Sequence, residues 1–243
     1  MEEQNQKHFL TIKGRDDGFG AQYQAIMSGI ALAHFKQCHY YHTPFVGIHH
    51  VHGEENIQKM NHFIGIQNEI PYNEEIHGTM EVVMEFADAH YHCPHPSIYY
   101  TNSVLQQIRN WYHSTKKPIV TIDIAIHIRR GDVHSQWVER YTDNAIYIQL
   151  IQLLQTKYPQ YKITIVSEGC LDDFKDFHLS DDCFLLNGDI TIAFHTMVSS
   201  KILIMSKSSF SYTAALLNPN QIYYMNFWHK PLDHWLSIND LLK

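Results

Sequence analysis

Residues 118–132 read Pro118-Ile119-Val120-Thr121-Ile122-Asp123-Ile124-Ala125-Ile126-His127-Ile128-Arg129-Arg130-Gly131-Asp132. The run up to Ile128 is nearly continuous in β-branched side chains, which predicts a strand over 118–128 buried on both faces. A buried strand ending in two arginines is not a packing solution, because Arg is almost never fully buried unpaired. Two guanidiniums at a strand end, with Gly131 permitting a sharp turn, suit bidentate capture of a phosphate or carboxylate. Asp132 can orient one of them or act as a base. The competing reading is an internal Arg–Asp ion pair that closes the turn.

Outward from this stretch, short apolar runs alternate with amphipathic ones, the pattern of βαβ units. Strands are expected at 8–13, 38–45, 162–166, 184–186, 202–205 and 222–227. Helices are expected at 21–36, 54–66, 97–112, 144–157, 172–177, 190–199 and 211–217. The fold class is α/β, in two halves that meet near 113–117, giving domains at 1–116 and 117–243. Open parallel sheets bind ligands beyond the carboxyl ends of their strands, so the loops after the apolar runs carry the chemistry.

Two more loops qualify. Met205-Ser206-Lys207-Ser208-Ser209-Phe210-Ser211 joins a strand to a helix. Hydroxyls and free N–H groups at a helix start bind anions, helped by the helix dipole. Plain capping needs only one serine. The turn Gly14-Arg15-Asp16-Asp17-Gly18-Phe19-Gly20 lets backbone approach a ligand closely; alone, it reads as an ordinary strand-to-helix turn. There is no spaced GxGxxG and no GK[ST], so neither dinucleotide nor P-loop binding is supported.

The 243 residues carry 18 Lys+Arg against 25 Asp+Glu, a net charge of −7, with 44% hydrophobic and 13% aromatic residues. That composition excludes a disordered chain, and the lack of a basic block argues against a nucleic-acid footprint. No run approaches the length that spans a bilayer, and the start Met1-Glu2-Glu3 has no signal-peptide pattern. Cys38, Cys93, Cys170 and Cys183 form no CxxC and read as reduced thiols of a soluble cytoplasmic protein.

His127-Ile128-Arg129-Arg130-Gly131-Asp132 resembles the HxRRGD signature of GDP-fucose-dependent fucosyltransferases, the superfamily of the α1,2-, α1,6- and protein O-fucosyltransferases. Ser208-Ser209-Phe210-Ser211, followed by Ala214, Ala215 and Leu216, is similar to the later serine motif of the α1,2 branch. Gly18-Phe19-Gly20-Ala21-Gln22 resembles the family's amino-terminal GxGNQ-like turn, with Ala21 where Asn is usual.

The resemblance implies a GT-B-like fold, two Rossmann-like α/β domains facing a cleft. Residues 1–116 would be the acceptor side and 117–243 the nucleotide-sugar side. It implies that Arg129 holds the β-phosphate of GDP, that His127 lies against the nucleotide, and that Ser208 and Ser209 contact the phosphates. Arg130, Ser211, Gly18, Gly20 and Gln22 join them as substrate-binding candidates. Where the family has an acidic residue facing the base, this chain has Ala193, with Asp189 four positions earlier. The implied reaction inverts the anomeric carbon, needs no metal or cofactor, and takes GDP-fucose or another GDP-sugar as donor and a glycan hydroxyl as acceptor. The candidates for the base are Asp132, Asp17, Asp16 and Glu139. Without signal or anchor, such an enzyme would work in the cytosol of a bacterium, protist or large virus.

The 19 histidines stand out. His49-His50-Val51-His52 and His90-Tyr91-His92-Cys93-Pro94-His95 carry zinc-ligand types, but no CxxC or HExxH frames them, so biased usage in surface loops is the simpler account. A zinc-dependent binding module and a non-catalytic nucleotide-sugar or glycan binder are the rival functions.

Overall fold

Ile124, Ile126 and Ile128 sit fully buried beside Ile163, Ile165, Ile202 and Ile204, and these side chains form one continuous core. Their strands belong to a sheet that organises the carboxyl-terminal half. The computed structural model of the chain describes residues 8–13, 15–69, 71, 73, 76, 79–83 and 95–243. The chain divides into two compact units, Met1–Lys117 and Pro118–Lys243. Lys117 stays with the first because its ammonium donates to Phe63 O at 2.8 Å and lies over the Phe63 and Tyr112 rings.

In the first unit, β1 (Phe9–Ile12) is flanked by β2 (His39–Tyr40) and β3 (Met80–Val83), all parallel. Helix α1 (Phe19–Phe35) packs on β1 and β2 and is buried along most of its length. Helix α2 (Glu54–Ile64) and α3 (Asn102–His113) complete the described part, with Thr101 accepting from Val104 N as the cap of α3.

The second unit is a six-stranded, wholly parallel sheet of β4 (Ile124–Ile128), β5 (Ile163–Ser167), β6 (Phe184–Leu186), β7 (Ile202–Ile204), β8 (Gln221–Tyr224) and β9 (Leu236–Ser237). The strand order is β6-β5-β4-β7-β8-β9. Counted from the first strand of the unit, that is the 3-2-1-4-5-6 order of doubly wound nucleotide-binding sheets. Helix α4 (Asn144–Lys157) covers one face with Tyr147, Leu150, Ile151 and Leu154. Helices α5 (Ile190–Ser199) and α6 (Ser209–Leu217) pack on each other, and α5 packs on β4. Each Ile or Leu so buried contributes about 1.5–3 kcal/mol of transfer free energy.

Several expected boundaries move. Residues 118–123 are not strand: Ile119 is 98% exposed, and Asp123 pairs with Lys201 and accepts from Lys162 N. The expected strand at 38–45 pairs only at His39 and Tyr40. The helix expected at 97–112 begins as a 3₁₀ turn, Pro96–Ile98, and restarts at Asn102. The one expected at 172–177 is a 3₁₀ segment, Leu171–Phe177. Strands β3 and β9 were not anticipated. Among the described residues no helix is long and apolar enough to cross a membrane.

Candidate anion site at the strand-order reversal

Strand order reverses between β4 and β7, so the chain leaves these neighbours in opposite directions, the position at which open parallel sheets bind their ligands. The loops at that point are Arg129–Asp132, after β4, and Met205–Ser208, after β7. Sequence reasoning singled out both, and one contact fastens them: Ser206 Oγ lies 2.7 Å from His127 Nδ1.

His127 alternates with the isoleucines of β4 and faces away from the α4 core. It is buried, and its ring meets Phe210 at 5.7 Å between centroids; Phe210 in turn meets Phe194. Burial, and then the charge of Arg129, push its pKa down to about 3, against a smaller opposing effect of Asp132. The imidazole is therefore neutral and serves as a hydrogen-bonding post rather than a cation.

Arg129 carries the exposed charge. Its Nε meets Asp132 Oδ1 at 3.2 Å and its Nη2 meets Oδ2 at 2.6 Å, a two-point pairing that fixes the guanidinium plane. The arginine side chain is 19% exposed. A guanidinium has five N–H donors, and this pairing occupies two, so the Nη1 edge remains for an anion. The expected ion pair is present, and it engages the guanidinium through Nε and Nη2. Burial raises the Asp132 pKa, but hydrogen bonding from Arg129 and the charges of Arg129 and Arg140 outweigh it, leaving the carboxyl below its ordinary value. A carboxylate so held accepts a proton poorly.

Arg130 does a different job from the one expected. It is buried, and its guanidinium donates to Arg129 O (2.8 Å), Thr142 O (3.0 Å) and Asn144 Oδ1 (2.5 Å) while lying over the Tyr141 ring. It is a strut closing the stem of the 131–143 loop. Gly131 has φ +78, and a Cβ there would stand 2.7 Å from Glu168 O, so only glycine fits the turn.

The serine turn is built from the inside out. Ser211 Oγ is buried, accepts from Ser206 N, and lies 3.3 Å from the carbonyls of both Ser206 and Ser208. Ser208 is the N-cap of α6 and accepts from Phe210 N at 3.2 Å. These two expected ligand contacts are therefore structural hydroxyls. Ser209 is half-buried at the first position of α6, its Oγ 3.5 Å from His229 Nε2. The N–H groups of Ser209 and Ser211, in the first turn, have no intrahelical acceptor, and the helix dipole adds partial positive charge there. Lys207 donates to Val138 O (3.1 Å) and Tyr141 O (3.2 Å), lashing this turn to the loop after Asp132.

Other expected residues are occupied elsewhere. Asp189 caps α5, accepting from Thr191 N, Thr191 Oγ1 and Ile192 N, an N-cap signal legible in Gly188-Asp189-Ile190. Gln22 is buried and donates to Asp17 O and Gly47 O, both at 2.7 Å, so it staples loops of the first unit. Gly18 precedes α1 with φ −65 and open space where a Cβ would sit, while Gly20 is buried in the first turn. Asp17 is paired with Arg15; Asp16 and Glu139 are exposed. Gly14, His90, His92 and Cys93 lie outside the described residues. Among those described, no three His, Cys, Asp or Glu side chains converge as a metal site would require. The His49 and His50 ring centroids lie 3.8 Å apart, tilted at 53°, with no third partner of that kind among the described residues. Cys38, Cys170 and Cys183 are free thiols.

The chain is similar to several solved structures at low identity. POFUT1 in complex with GDP is 11% identical over 89% of this chain and 96% of that one, with a TM-score of 0.41. The fucosyltransferase NodZ from Bradyrhizobium is 12% identical over 90% and 95%, at 0.43. The E. coli heptosyltransferase WaaC with ADP-2-deoxy-2-fluoro heptose is 11% identical over 88% and 63%, at 0.39. No curated protein matches the chain in sequence. The model of glycosyl transferase family 11 matches residues 90–238, which takes in the whole anion site and more than half of the chain. The strand end, the serine turn and the sheet that joins them are thus parts of a glycosyltransferase, and this chain belongs to glycosyl transferase family 11.

Proposed function

We propose that the chain transfers fucose from GDP-fucose to a hydroxyl of a glycan, with inversion at the anomeric carbon and without a metal ion. The single observation that carries this reading is the His127–Ser206 contact, which ties the strand that runs into Arg129 to the turn that opens α6. The Arg129 guanidinium and the amino end of α6 both stabilise negative charge, and a departing nucleoside diphosphate develops it. Donors fixed in advance where charge will appear lower the barrier without reorganising. The acceptor oxygen attacks the anomeric carbon as the bond to the β-phosphate breaks, through an oxocarbenium-like transition state. The hydroxyl proton passes to a base, and GDP leaves with the bonding pair.

Asp132 then acts through Arg129, as a positioning residue, while another carboxylate takes the proton. Asp17 is committed to Arg15, so Asp16 and Glu139 are the ones to replace in turn. His127 and Ser206 keep the two loops together, and the Ser209 hydroxyl with the N–H groups of the first turn of α6 supplies the neutral donors to phosphate.

A thermal-shift panel tests the donor class. GDP and GDP-fucose should raise the melting temperature, whereas UDP, CMP and NAD should not, because a ligand that binds only the folded state stabilises it by mass action. Transfer from GDP-fucose that persists in excess chelator, with product of inverted configuration, is the expected result. Preference for UDP or a stoichiometric metal requirement would overturn the reading.

A further inference from the structure

The loop that follows Asp132 exposes side chains that the anion site does not use. Trp137 is 47% exposed, Val138 73% and Trp228 36%. The Arg140 guanidinium lies between the two indoles, 5.5 Å from the Trp137 ring centroid and 5.4 Å from that of Trp228. Two exposed indoles sharing one guanidinium present both apolar faces and hydrogen-bond donors to a ligand.

Its position is set by the neighbouring site. Lys207 holds the loop through Val138 O and Tyr141 O. Trp228 is followed by His229, whose Nε2 touches Ser209 Oγ, and the Arg140 charge reaches Asp132. The geometry points to Trp137 and Trp228, bridged by Arg140, as a platform for the acceptor glycan. This inference rests on the reading of the strand end as the donor-phosphate site and adds where the other substrate lies.

The chemistry selects a sugar over the donor's base. The C–H face of a pyranose is apolar and faintly positive, and it lies flat on the electron-rich face of an indole. The guanidinium supplies donors to the ring hydroxyls at the edge. A nucleobase needs a slot that covers most of its surface, whereas these indoles stand open, which suits an oligosaccharide that rests one or two residues on the protein and runs on into solvent.

The test is binding of wild type, Trp137→Ala, Trp228→Ala and the two Trp→Phe variants to an array of neutral oligosaccharides with varied terminal sugars, beside a separate titration with GDP. Wild type should bind array glycans. Each Ala variant should lose at least about tenfold in glycan affinity at unchanged GDP affinity, with the Phe variants retaining most of it. The inference is overturned if wild type binds no array glycan, if the Ala variants bind as wild type does, or if GDP affinity falls in proportion. Arg129→Ala keeps the two readings apart: it should weaken GDP binding at least about tenfold and keep the glycans. A wild type that ignores GDP yet needs both indoles for glycan would sink the donor reading alone.

Discussion

Ser206 Oγ and His127 Nδ1 stand 2.7 Å apart although 79 positions separate them in sequence. The contact is buried on both sides, so the hydroxyl and the imidazole satisfy each other where water cannot. Ser206→Ala leaves the imidazole nitrogen without its partner, at a cost of about 1–3 kcal/mol. Urea unfolding should show the unfolding free energy drop by that amount at unchanged m-value, and GDP affinity should fall with it as the two loops loosen. A variant of normal stability and normal GDP affinity would remove this contact from the site.

Arg129→Ala should abolish measurable transfer and weaken GDP binding by about tenfold to a hundredfold, the worth of charge-assisted hydrogen bonds. The melting temperature should fall by only a few degrees, because Asp132, left behind, is about half exposed and water can take over its solvation. Arg129→Lys should not rescue, since an ammonium lacks the fork that meets Asp132 and phosphate together. Asp132→Asn should keep measurable turnover with raised donor KM, as expected of a group that steers the arginine. Near-normal turnover in Arg129→Ala would show the assigned role to be wrong.

Two glycines should answer differently to the same change. Gly131→Ala meets Glu168 O at 2.7 Å and holds a left-handed φ, so it should destabilise by about 1–3 kcal/mol and express poorly. Gly18→Ala meets nothing within 4 Å at an ordinary φ and should fold normally. If the open face of Gly18 serves substrate, circular dichroism will be unchanged while transfer drops. Equal melting temperatures for the two variants would contradict the turn geometry.

Stability should fall as pH drops below about 6.5. His127 in the second unit and His42 in the first are buried, and burial pushes their pKa values down to about 3 and about 4. The unfolded chain takes up these protons near pH 6.5 while the folded chain refuses them. Each folded unit thus keeps its full stability above that pH and loses about 1.4 kcal/mol per pH unit on the way down, until the folded imidazole also protonates. Urea midpoints from pH 7.5 to 4.5 measure this slope, and His127→Asn should flatten it for the second unit. A flat wild-type profile would contradict the buried neutral imidazoles.

Much of the site was legible because β4 and β7 are short β-branched or apolar runs cut off by residues no core accepts. The strand-order reversal that joins them follows from the alternation of strands and helices. The division of labour between Arg129 and Arg130 was not legible: two identical side chains leave a strand end in opposite directions, and only the packing of Tyr141 and Asn144 decides which turns inward. The serines hid a similar distinction, since Ser206, Ser208 and Ser211 hold the turn and leave Ser209 at its mouth. Strand β9 is too short to announce itself, β3 is an edge strand with no buried residue and no apolar alternation, and the exposed indoles carry no periodic signal.

The Arg130 strut fastens both feet of the loop that rises after Gly131, at Arg129 O on one side and at Thr142 O and Asn144 on the other. Residues between those feet can be exchanged, lengthened or grafted from a cousin while the foundation stays level. Taste for a new acceptor can therefore be acquired by swapping the balcony, with the machinery beneath it left in place.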